Sequence, residues 1–174
     1  YDIYHKFIFE LGGQSSLTET NSKMTCIKID LDFKYNSNKI ERIYKQKHLE
    51  SIVKLYMEAI DEWVITSDEH HRYCFIMEKT GAKLDKHLDE GVIAIKDGIH
   101  IIFPSITSRP EVQYEIRENI ISLLSGSQVL SNVKFKNSIE DLIDKAIISK
   151  NPWLMYGSCK HNQEAYKLTH IYDY

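Results

Sequence analysis

The sequence predicts a single α+β domain built on an antiparallel sheet. Three patterns indicate this class: an apolar run at residues 27–33, an amphipathic helix pattern within residues 38–63, and two apolar runs on either side of Asp97-Gly98. Helix and strand patterns mix without the regular βαβ alternation of a parallel sheet, and an Asp-Gly pair between apolar runs is typical of an antiparallel hairpin. The 174 residues, of which 43% are hydrophobic, suffice for one core, so we expect one domain over the whole chain.

The first half of the chain predicts two strands and one long helix. Residues 12–22 are rich in Gly, Ser and Thr and are expected to form a loop. In the strand at 27–33, successive side chains point to opposite faces, so the apolar ones form a buried face while Asp30 and Asp32 share the other. Residues 72–77 are aromatic and apolar, as in a strand. Between the strands, apolar residues at helical spacing predict one buried helix face: Leu49, Ile52, Val53, Tyr56, Ala59, Ile60 and Trp63.

A hairpin is predicted in the middle of the chain. Residues 79–91 are polar, charged and loop-like. Asp97-Gly98 then predicts a tight turn between strands at 92–95 and 99–103, because glycine tolerates positive φ.

The last third predicts helices and a short strand. Residues 108–111, Ser-Arg-Pro-Glu, combine capping-box spacing with proline in the first turn, which predicts a helix start. The helix is expected to end before Gly126. Its apolar stripe consists of Val112, Ile116, Ile120, Leu123 and Leu124. A short helix at 138–148 and a strand at 153–156 are further expectations.

The overall composition excludes several classes of protein. A net charge of −3 excludes a uniformly basic coat for nucleic acid, so phosphates would have to bind at local patches. Such a patch, or an ordinary solvated helix face, could be formed by the basic run of Lys34, Lys39, Arg42, Lys45 and Lys47. No apolar run approaches the roughly 20 residues that span a bilayer, which argues against a membrane role.

The cysteines and the start of the chain bear on its cellular setting. Cys26, Cys74 and Cys159 are odd in number and contain no Cys-x-x-Cys pair, which argues against a disulfide framework and for the cytosol or the nucleus. The chain begins at Tyr1 with no charged-then-apolar leader, so we expect it to be a segment of a longer polypeptide.

Asp30 and Asp32 are the strongest candidates for chemistry. Their Cα atoms would lie about 6.6 Å apart, from a rise of ~3.3 Å per strand residue, so both carboxylates could converge on one cation. Neighbouring anions raise each other's pKa unless a metal neutralises them, and hard oxygen ligands suit Mg²⁺ or Mn²⁺. The alternative is that both aspartates decorate the solvated face of an edge strand.

Three later motifs could add partners to this pair. His100 would share a strand face with Ile102, although a lone histidine is more often structural. Asp144 is a further acid. The turn at 157–160, Gly-Ser-Cys-Lys, could seat a phosphate through backbone N–H groups and its lysine, or could be an ordinary loop.

Taken in order, these motifs resemble the archaeo-eukaryotic primase (AEP) superfamily. The matching pieces are an Asp-x-Asp strand, then Gly-x-His-Ile-Ile-Phe, then Ile-Asp-Lys-Ala-Ile, then Trp-Leu-Met-Tyr-Gly-Ser-x-Lys, over residues 26–160. The resemblance is to the primase domains of primase-helicases from large nucleocytoplasmic DNA viruses of the poxvirus, African swine fever virus or mimivirus type. It implies an RNA-recognition-motif-like catalytic antiparallel sheet with packed helices plus a smaller α/β unit.

The resemblance also implies metal and nucleotide ligands. In that family, the acids corresponding to Asp30, Asp32 and Asp144 bind two catalytic Mg²⁺ or Mn²⁺ ions. The histidine that follows a small residue contacts the incoming nucleotide's triphosphate, and here that pair is Gly98 and His100.

Further nucleotide contacts follow from the same resemblance. Lys160, and less directly Ser158, would contact nucleotide phosphates, and Lys96 could help to hold them. Asp141 lies one helical turn before Asp144 and is an alternative third acid.

The implied activity is template-directed synthesis of short primers on single-stranded DNA from NTPs or dNTPs. A helicase domain of the same polypeptide would be a partner, and its motor would lie downstream because this segment has no Walker A motif. The host cytoplasm, as a site of viral replication, is the implied location.

Three other possibilities remain open at this point. A two-metal nuclease would use the same acids without a triphosphate pocket. A non-catalytic single-stranded nucleic-acid-binding module would stack bases on sheet aromatics such as Tyr73 and Phe75. A zinc site could draw on His71, Cys74, Cys159 and His161, although the two pairs lie far apart in sequence.

Overall fold

A computed structural model of the chain describes residues 1–65, 72–88 and 91–173. The helices are α1 (Asp2–His5), which continues into a π-helical turn (Lys6–Glu10), α2 (Gln46–Trp63), α3 (Pro110–Gly126), α4 (Ile139–Leu142) and α5 (Ala146–Ser149). The strands are β1 (Thr18–Glu19), β2 (Thr25–Ser37), β3 (Tyr73–Glu78), β4 (Lys83–His87), β5 (Ile93–Ser108), β6 (Trp153–Leu154) and β7 (Lys167–Asp173).

The main sheet is antiparallel and has five strands. Its order is β2-β5-β3-β7. β4 pairs with the same edge of β5 as β3 does, but β4 pairs with residues 93–96 of β5 and β3 pairs with residues 99–102. β1 and β6 form a separate two-stranded sheet. The predicted α+β class with packed helices is therefore confirmed.

The core lies between one face of the main sheet and the two long helices. In β2 the buried apolar residues alternate as predicted, although Lys28 between the first two is buried too: Ile27, Ile29, Leu31, Phe33 and Tyr35. These side chains pack with the inward face of β5 and with the apolar faces of α2 and α3 in a single cluster. The helices thus cover one face of the sheet, which leaves Asp30 and Asp32 on the other face.

The helix predicted within 38–63 begins later than its pattern indicated. α2 starts at Gln46, because the preceding residues are held in an extended path along the sheet. The Tyr35 hydroxyl donates to the Glu41 carbonyl oxygen (2.6 Å), and the Tyr44 ring stacks on Phe33. The basic run is consequently not one helix face, because Arg42 lies before α2 and forms salt bridges with Glu78 and Asp97 of the sheet.

The hairpin predicted at Asp97-Gly98 is wrong. β5 runs without a turn from Ile93 to Ser108 and pairs with β2 along its length. Asp97 faces the core side, where its carboxylate accepts two hydrogen bonds from the Arg42 guanidinium. The ion pair with Arg42 therefore stabilises Asp97 within a strand, and this tertiary contact outweighs the local turn preference of Asp-Gly.

Other differences concern short or polar elements. Within the predicted loop at 79–91, β4 forms a strand, and β7 and the N-terminal helical turns were not predicted. The helix predicted at 138–148 is two short helices interrupted at Ile143 and Asp144. α3 forms as predicted, but Arg109 is its N-cap and no capping box forms.

The thiols of Cys26, Cys74 and Cys159 are free, and two of the four possible zinc ligands can be placed as follows. His71 lies outside the described residues, and Cys74 is fully buried in the main core. Among the described helices, none combines the length and apolar character that a membrane-spanning segment requires.

Candidate active site

The open face of the β2–β5 pair brings the predicted site residues together. The strand register sets Asp30 directly opposite His100 and Asp32 directly opposite Gly98. Residues directly opposite in an antiparallel pair share a face and have Cβ atoms about 5 Å apart. The Asp-x-Asp strand and the Gly-x-His strand are therefore adjacent parts of one site, although about 70 residues separate them in sequence.

The segment before α5 adds Asp144 to this face. Asn137 binds the backbone of β2 on both sides of Phe33, through the Asp32 carbonyl (2.7 Å) and the Lys34 N–H (3.0 Å). Ile143 then forms an isolated bridge to Leu31. The next residue, Asp144, continues this strand-like pairing, because its N–H donates to the Asp30 carbonyl oxygen (3.0 Å).

This backbone path distinguishes Asp144 from Asp141. Ile143 points into the core with Leu31, so Asp144 is carried to the opposite face, that of Asp30 and Asp32. Its carboxylate also accepts a hydrogen bond from the Ala146 N–H (2.8 Å), which begins α5. Asp141 is exposed in the first turn of α4.

Asp30 is held in an environment that disfavours its negative charge. Burial, followed by the charges of Asp32 and Asp144, raises the pKa of Asp30 to about 8. Its buried Oδ1 atom has no hydrogen-bond donor in the described part of the chain, and His100 Nε2 is 3.7 Å away. The pKa of Asp32 is raised as well, first by burial and then by Asp144.

Asp30 and Asp32, but not Asp144, line a cavity of about 490 Å³ that is also lined by basic side chains. Four lysines line it: Lys79, Lys83, Lys96 and Lys160. The charges of Lys160 and Lys79 oppose the rise in the pKa of Asp30, and they lower the pKa of His100. The two carboxylates of the cavity thus suit cations, and its lysines suit phosphate oxygens.

His100 is a buried and neutral member of the site. Its imidazole stacks on Tyr166, with 3.6 Å between ring centroids, and lies 4.3 Å from Trp153 by the same measure. Burial, followed by Lys79 and Lys160, lowers the pKa of His100 to about 3. In this environment the ring can donate a hydrogen bond but carries no charge.

The other predicted phosphate contacts differ in their accessibility. Lys160 is exposed and lines the cavity. Lys96 lines it too, but its ammonium is paired with the Asp85 carboxylate at 2.7 Å. Ser158 is buried and its hydroxyl bonds to the Tyr4 hydroxyl (2.9 Å), so it holds the N-terminal helical turn instead of lining the cavity.

Sequence reasoning missed two residues of the site, Lys79 and Tyr166. Lys79 follows β3, and its ammonium lies 4.6 Å from the centroid of the Tyr166 ring and donates to Gln163 (3.1 Å). Neither residue belongs to a recognisable motif. A signal for Lys79 was its place two residues after the strand predicted at 72–77, whereas β7 and the loop before it gave no signal for Tyr166.

The donor set fits a divalent cation that shares its coordination with a substrate. Within the described ranges, no three His, Cys, Asp or Glu side chains are already gathered around one point as a complete metal cage. Mg²⁺ usually uses one or two carboxylates and completes its shell with water and substrate phosphates. The Oδ1 of Asp30, which has no donor in the described part of the chain and whose carboxyl pKa is raised by burial and then by adjacent acids, matches that pattern.

Fold and site together define an α+β domain whose sheet face is chemically suited to phosphate-bearing substrates. The chain belongs to the family described as “C962R protein N-terminal AEP domain”, which it matches over residues 1–172. The predicted resemblance to AEP domains is thereby confirmed. At the level of the family, this membership supports a primase-type role in nucleotidyl transfer.

Two of the similar proteins are viral and carry helicase names. “Putative helicase L207/L206” of Acanthamoeba polyphaga mimivirus is 29% identical over 163 residues, which cover 92% of this chain and 16% of the relative. “Putative helicase 121R” of Invertebrate iridescent virus 3 is 25% identical over 135 residues, which cover 75% of this chain and 14% of the relative. The chain therefore spans about a sixth of the length of these curated relatives.

A third similar protein is of a different kind. “Tuberous sclerosis 1 protein homolog” of Schizosaccharomyces pombe is 30% identical over 86 residues, covering 46% of this chain and 10% of that protein.

Proposed function

We propose that this chain is a DNA primase domain that joins nucleotides on a single-stranded DNA template. The observation that carries the proposal is one cavity in which Asp30 and Asp32 face four lysines. Within an AEP family member, this pairing of acids and cations matches the needs of a nucleoside triphosphate substrate. In the reaction, a 3′-hydroxyl attacks the α-phosphate of a nucleoside triphosphate, a new phosphodiester forms, and pyrophosphate leaves with the electrons of the broken bond.

Asp30, Asp32 and Asp144 are the proposed ligands of Mg²⁺ or Mn²⁺. Such ions, when bound, would lower the pKa of the attacking hydroxyl and stabilise negative charge on the transferring phosphoryl group. The carboxylates supply hard oxygen donors, and their mutual repulsion favours occupation by cations. Asp144 joins them from its own segment, through the backbone bond to Asp30.

The basic side chains are the proposed ligands of the triphosphate. Lys160 and Lys79 lie where they can pair with phosphate oxygens as charged donors. His100 is neutral here, so its proposed contribution is a directed hydrogen bond rather than a charge. Lys96 would bind a phosphate oxygen once its ammonium leaves the Asp85 carboxylate. Ser158 would not contact the nucleotide and would only support the turn at 157–160.

The longer protein and its setting are part of the same proposal. The viral relatives with helicase names support a helicase domain in the same polypeptide as the partner of this chain. Single-stranded DNA would supply the template and NTPs or dNTPs the substrates. Replication of viral DNA in the host cytoplasm is the proposed setting.

De novo primer synthesis tests this function. The chain is incubated with single-stranded DNA, labelled nucleotides and Mn²⁺ or Mg²⁺, beside Asp30→Ala/Asp32→Ala, Lys160→Ala and, as a matched exposed control, Lys39→Ala. We expect short products from the parent and the control, none from the double variant, and a nucleotide KM raised roughly 10- to 150-fold by Lys160→Ala, the equivalent of one charged hydrogen bond.

Three outcomes would contradict the proposal. Equal product yield from the double variant would remove the aspartates from the reaction. Degradation of the template that is insensitive to Lys160→Ala would favour a nuclease. DNA binding without synthesis, unchanged or improved by loss of the two carboxylates, would favour a binding module.

A further inference from the structure

Tyr166 has no part in any motif, yet its ring contacts two of the proposed triphosphate ligands. The ring stacks on His100 with an interplanar angle of 17°, and the Lys79 ammonium lies over the same ring. Aromatic stacking and a cation above a ring face are both attractive and both depend on orientation. Moving the ring would therefore move both neighbours.

The backbone around Tyr166 holds the ring in this place. Two polar side chains just before it bind the residues that follow β3: Gln163 accepts from Lys79 Nζ, and the Glu164 carboxylate accepts from the Thr80 N–H and hydroxyl. The ring is mostly buried, and the burial raises the pKa of its phenol. The segment just before Tyr166 is thus fastened to the end of β3.

The hydroxyl of Tyr166 explains why Gly98 is a glycine. A Cβ atom at Gly98 would lie closer than 3.0 Å to the Tyr166 hydroxyl oxygen and 3.5 Å from Asp32 Oδ1. Positive φ is not the cause, because among the described glycines only Gly12, Gly91 and Gly157 have it. The small residue opposite Asp32 therefore makes room for Tyr166 above the strand.

We infer that Tyr166 is a positioning residue that sets the orientation of His100 and Lys79 for the triphosphate, and that Gly98 is required for Tyr166 to take its place. This inference rests on the proposed function for its substrate. Its geometric part, the seating of Tyr166 on His100 above Gly98, can be tested without any catalytic activity.

Four variants separate these roles. Tyr166→Leu removes the ring but keeps apolar bulk, whereas Tyr166→Phe keeps the ring and removes only the hydroxyl. Gly98→Ala adds the Cβ that collides with that hydroxyl, and Gly98→Ala/Tyr166→Phe adds the Cβ after the hydroxyl is gone. Gly126→Ala is the control, because a Cβ there meets nothing within 4 Å.

The first readout is the ring-proton NMR signal of His100, assigned by comparison with His100→Gln. Stacking on Tyr166 should shift this signal upfield. We expect Tyr166→Leu and Gly98→Ala to lose the shift, and Tyr166→Phe, the double variant and Gly126→Ala to keep it. An unchanged His100 signal in Gly98→Ala, or failure of Tyr166→Phe to restore it, would overturn the inference.

The second readout is primer synthesis with nucleotide as the varied substrate. We expect Tyr166→Leu and Gly98→Ala to raise the nucleotide KM roughly 2- to 12-fold, the equivalent of one aromatic pair, with kcat nearly unchanged. Tyr166→Phe should reverse the effect of Gly98→Ala. An equal KM in all variants would overturn the positioning role, whereas a parent without any synthesis would contradict the proposed function and leave the NMR result to decide the geometry.

Discussion

Asp30 is the residue whose surroundings depart furthest from those of an ordinary surface aspartate. Its backbone is central to a strand, its Oδ1 is buried without a donor in the described part of the chain, and two further acids act on it. A charged group so placed lowers the stability of the folded state. Such a cost is typical of functional sites, because a ligand that neutralises the charge can recover it.

This cost gives the stability of the protein a pH dependence. The folded-state pKa of Asp30, about 8, lies above its unfolded value of about 4, so the folded protein binds more protons between these limits. Without divalent cations, stability should therefore fall as pH rises from about 4 to 8. Asp30→Asn should lose less stability over this range, because only Asp32 would still carry a raised pKa beside it, and should unfold at a higher temperature than the parent at pH 8.

The measurement is thermal unfolding in chelator-containing buffer from pH 4 to pH 9. Asp141→Asn is the matched control, because Asp141 is an exposed acid on α4. Its melting profile should run parallel to that of the parent. A profile for Asp30→Asn that also runs parallel to the parent across the whole range would contradict the description of Asp30.

At the scale of elements, the segment from Asn137 to Asp144 determines where the third acid lies. It contains the short helix α4, and it is fixed to β2 on either side of that helix by the Asn137 side chain and by the Ile143 bridge. Asn137→Ala would remove two hydrogen bonds to the β2 backbone, at a cost of about 1–3 kcal/mol in stability.

This variant should also reduce primer synthesis more than its stability loss explains, because Asp144 depends on the same segment. The experiment compares denaturant unfolding and initial rates at a temperature where every variant is fully folded. Asn38→Ala, in the exposed loop after β2, is the control. A folded Asn137→Ala with the parent's rate would show that the segment does not position Asp144.

Elements with strong local signals could be predicted, and those decided by distant contacts could not. The alternation in β2 and the apolar stripes of α2 and α3 identified the core face, and therefore which face carries Asp30. Asp97-Gly98 misled, because Arg42 and Tyr166, both far away in sequence, give these two residues their functions. Tyr166 lacked any signal and Lys79 had only its place after a predicted strand, since Lys79 reaches the cavity through the pairing of β3 and Tyr166 through the path before β7.

At the scale of the whole molecule, Arg42 connects elements that border the cavity. Its guanidinium donates to Glu78 (2.7 Å), to both oxygens of Asp97 (2.8 and 3.2 Å) and to the Lys79 carbonyl (3.0 Å). Glu78 and Asp97 are almost completely buried. The guanidinium thus joins the end of β3 to the middle of β5 beneath the lysines.

Arg42→Ala should destabilise the protein by about 3–5 kcal/mol, because it leaves two buried carboxylates without their cation. Arg42→Lys should recover only part of this, since an ammonium cannot reproduce the planar fork. Denaturant unfolding measures both. The control Lys39→Ala breaks an exposed pair with Glu41 and should cost at most about 1 kcal/mol. Equal losses for Arg42→Ala and Lys39→Ala would contradict the structural role of this network.

The most direct test of the central claim is Mn²⁺ binding, followed by electron paramagnetic resonance with and without a non-hydrolysable nucleoside triphosphate. If Asp30 and Asp32 face a metal, the parent and Asp141→Asn should bind Mn²⁺, and more tightly with the triphosphate, because phosphate oxygens complete the coordination shell. Asp30→Asn/Asp32→Asn should show no saturable binding. A titration of the double variant that matches the parent would contradict the assignment of these aspartates to the metal and, with it, the proposed reaction.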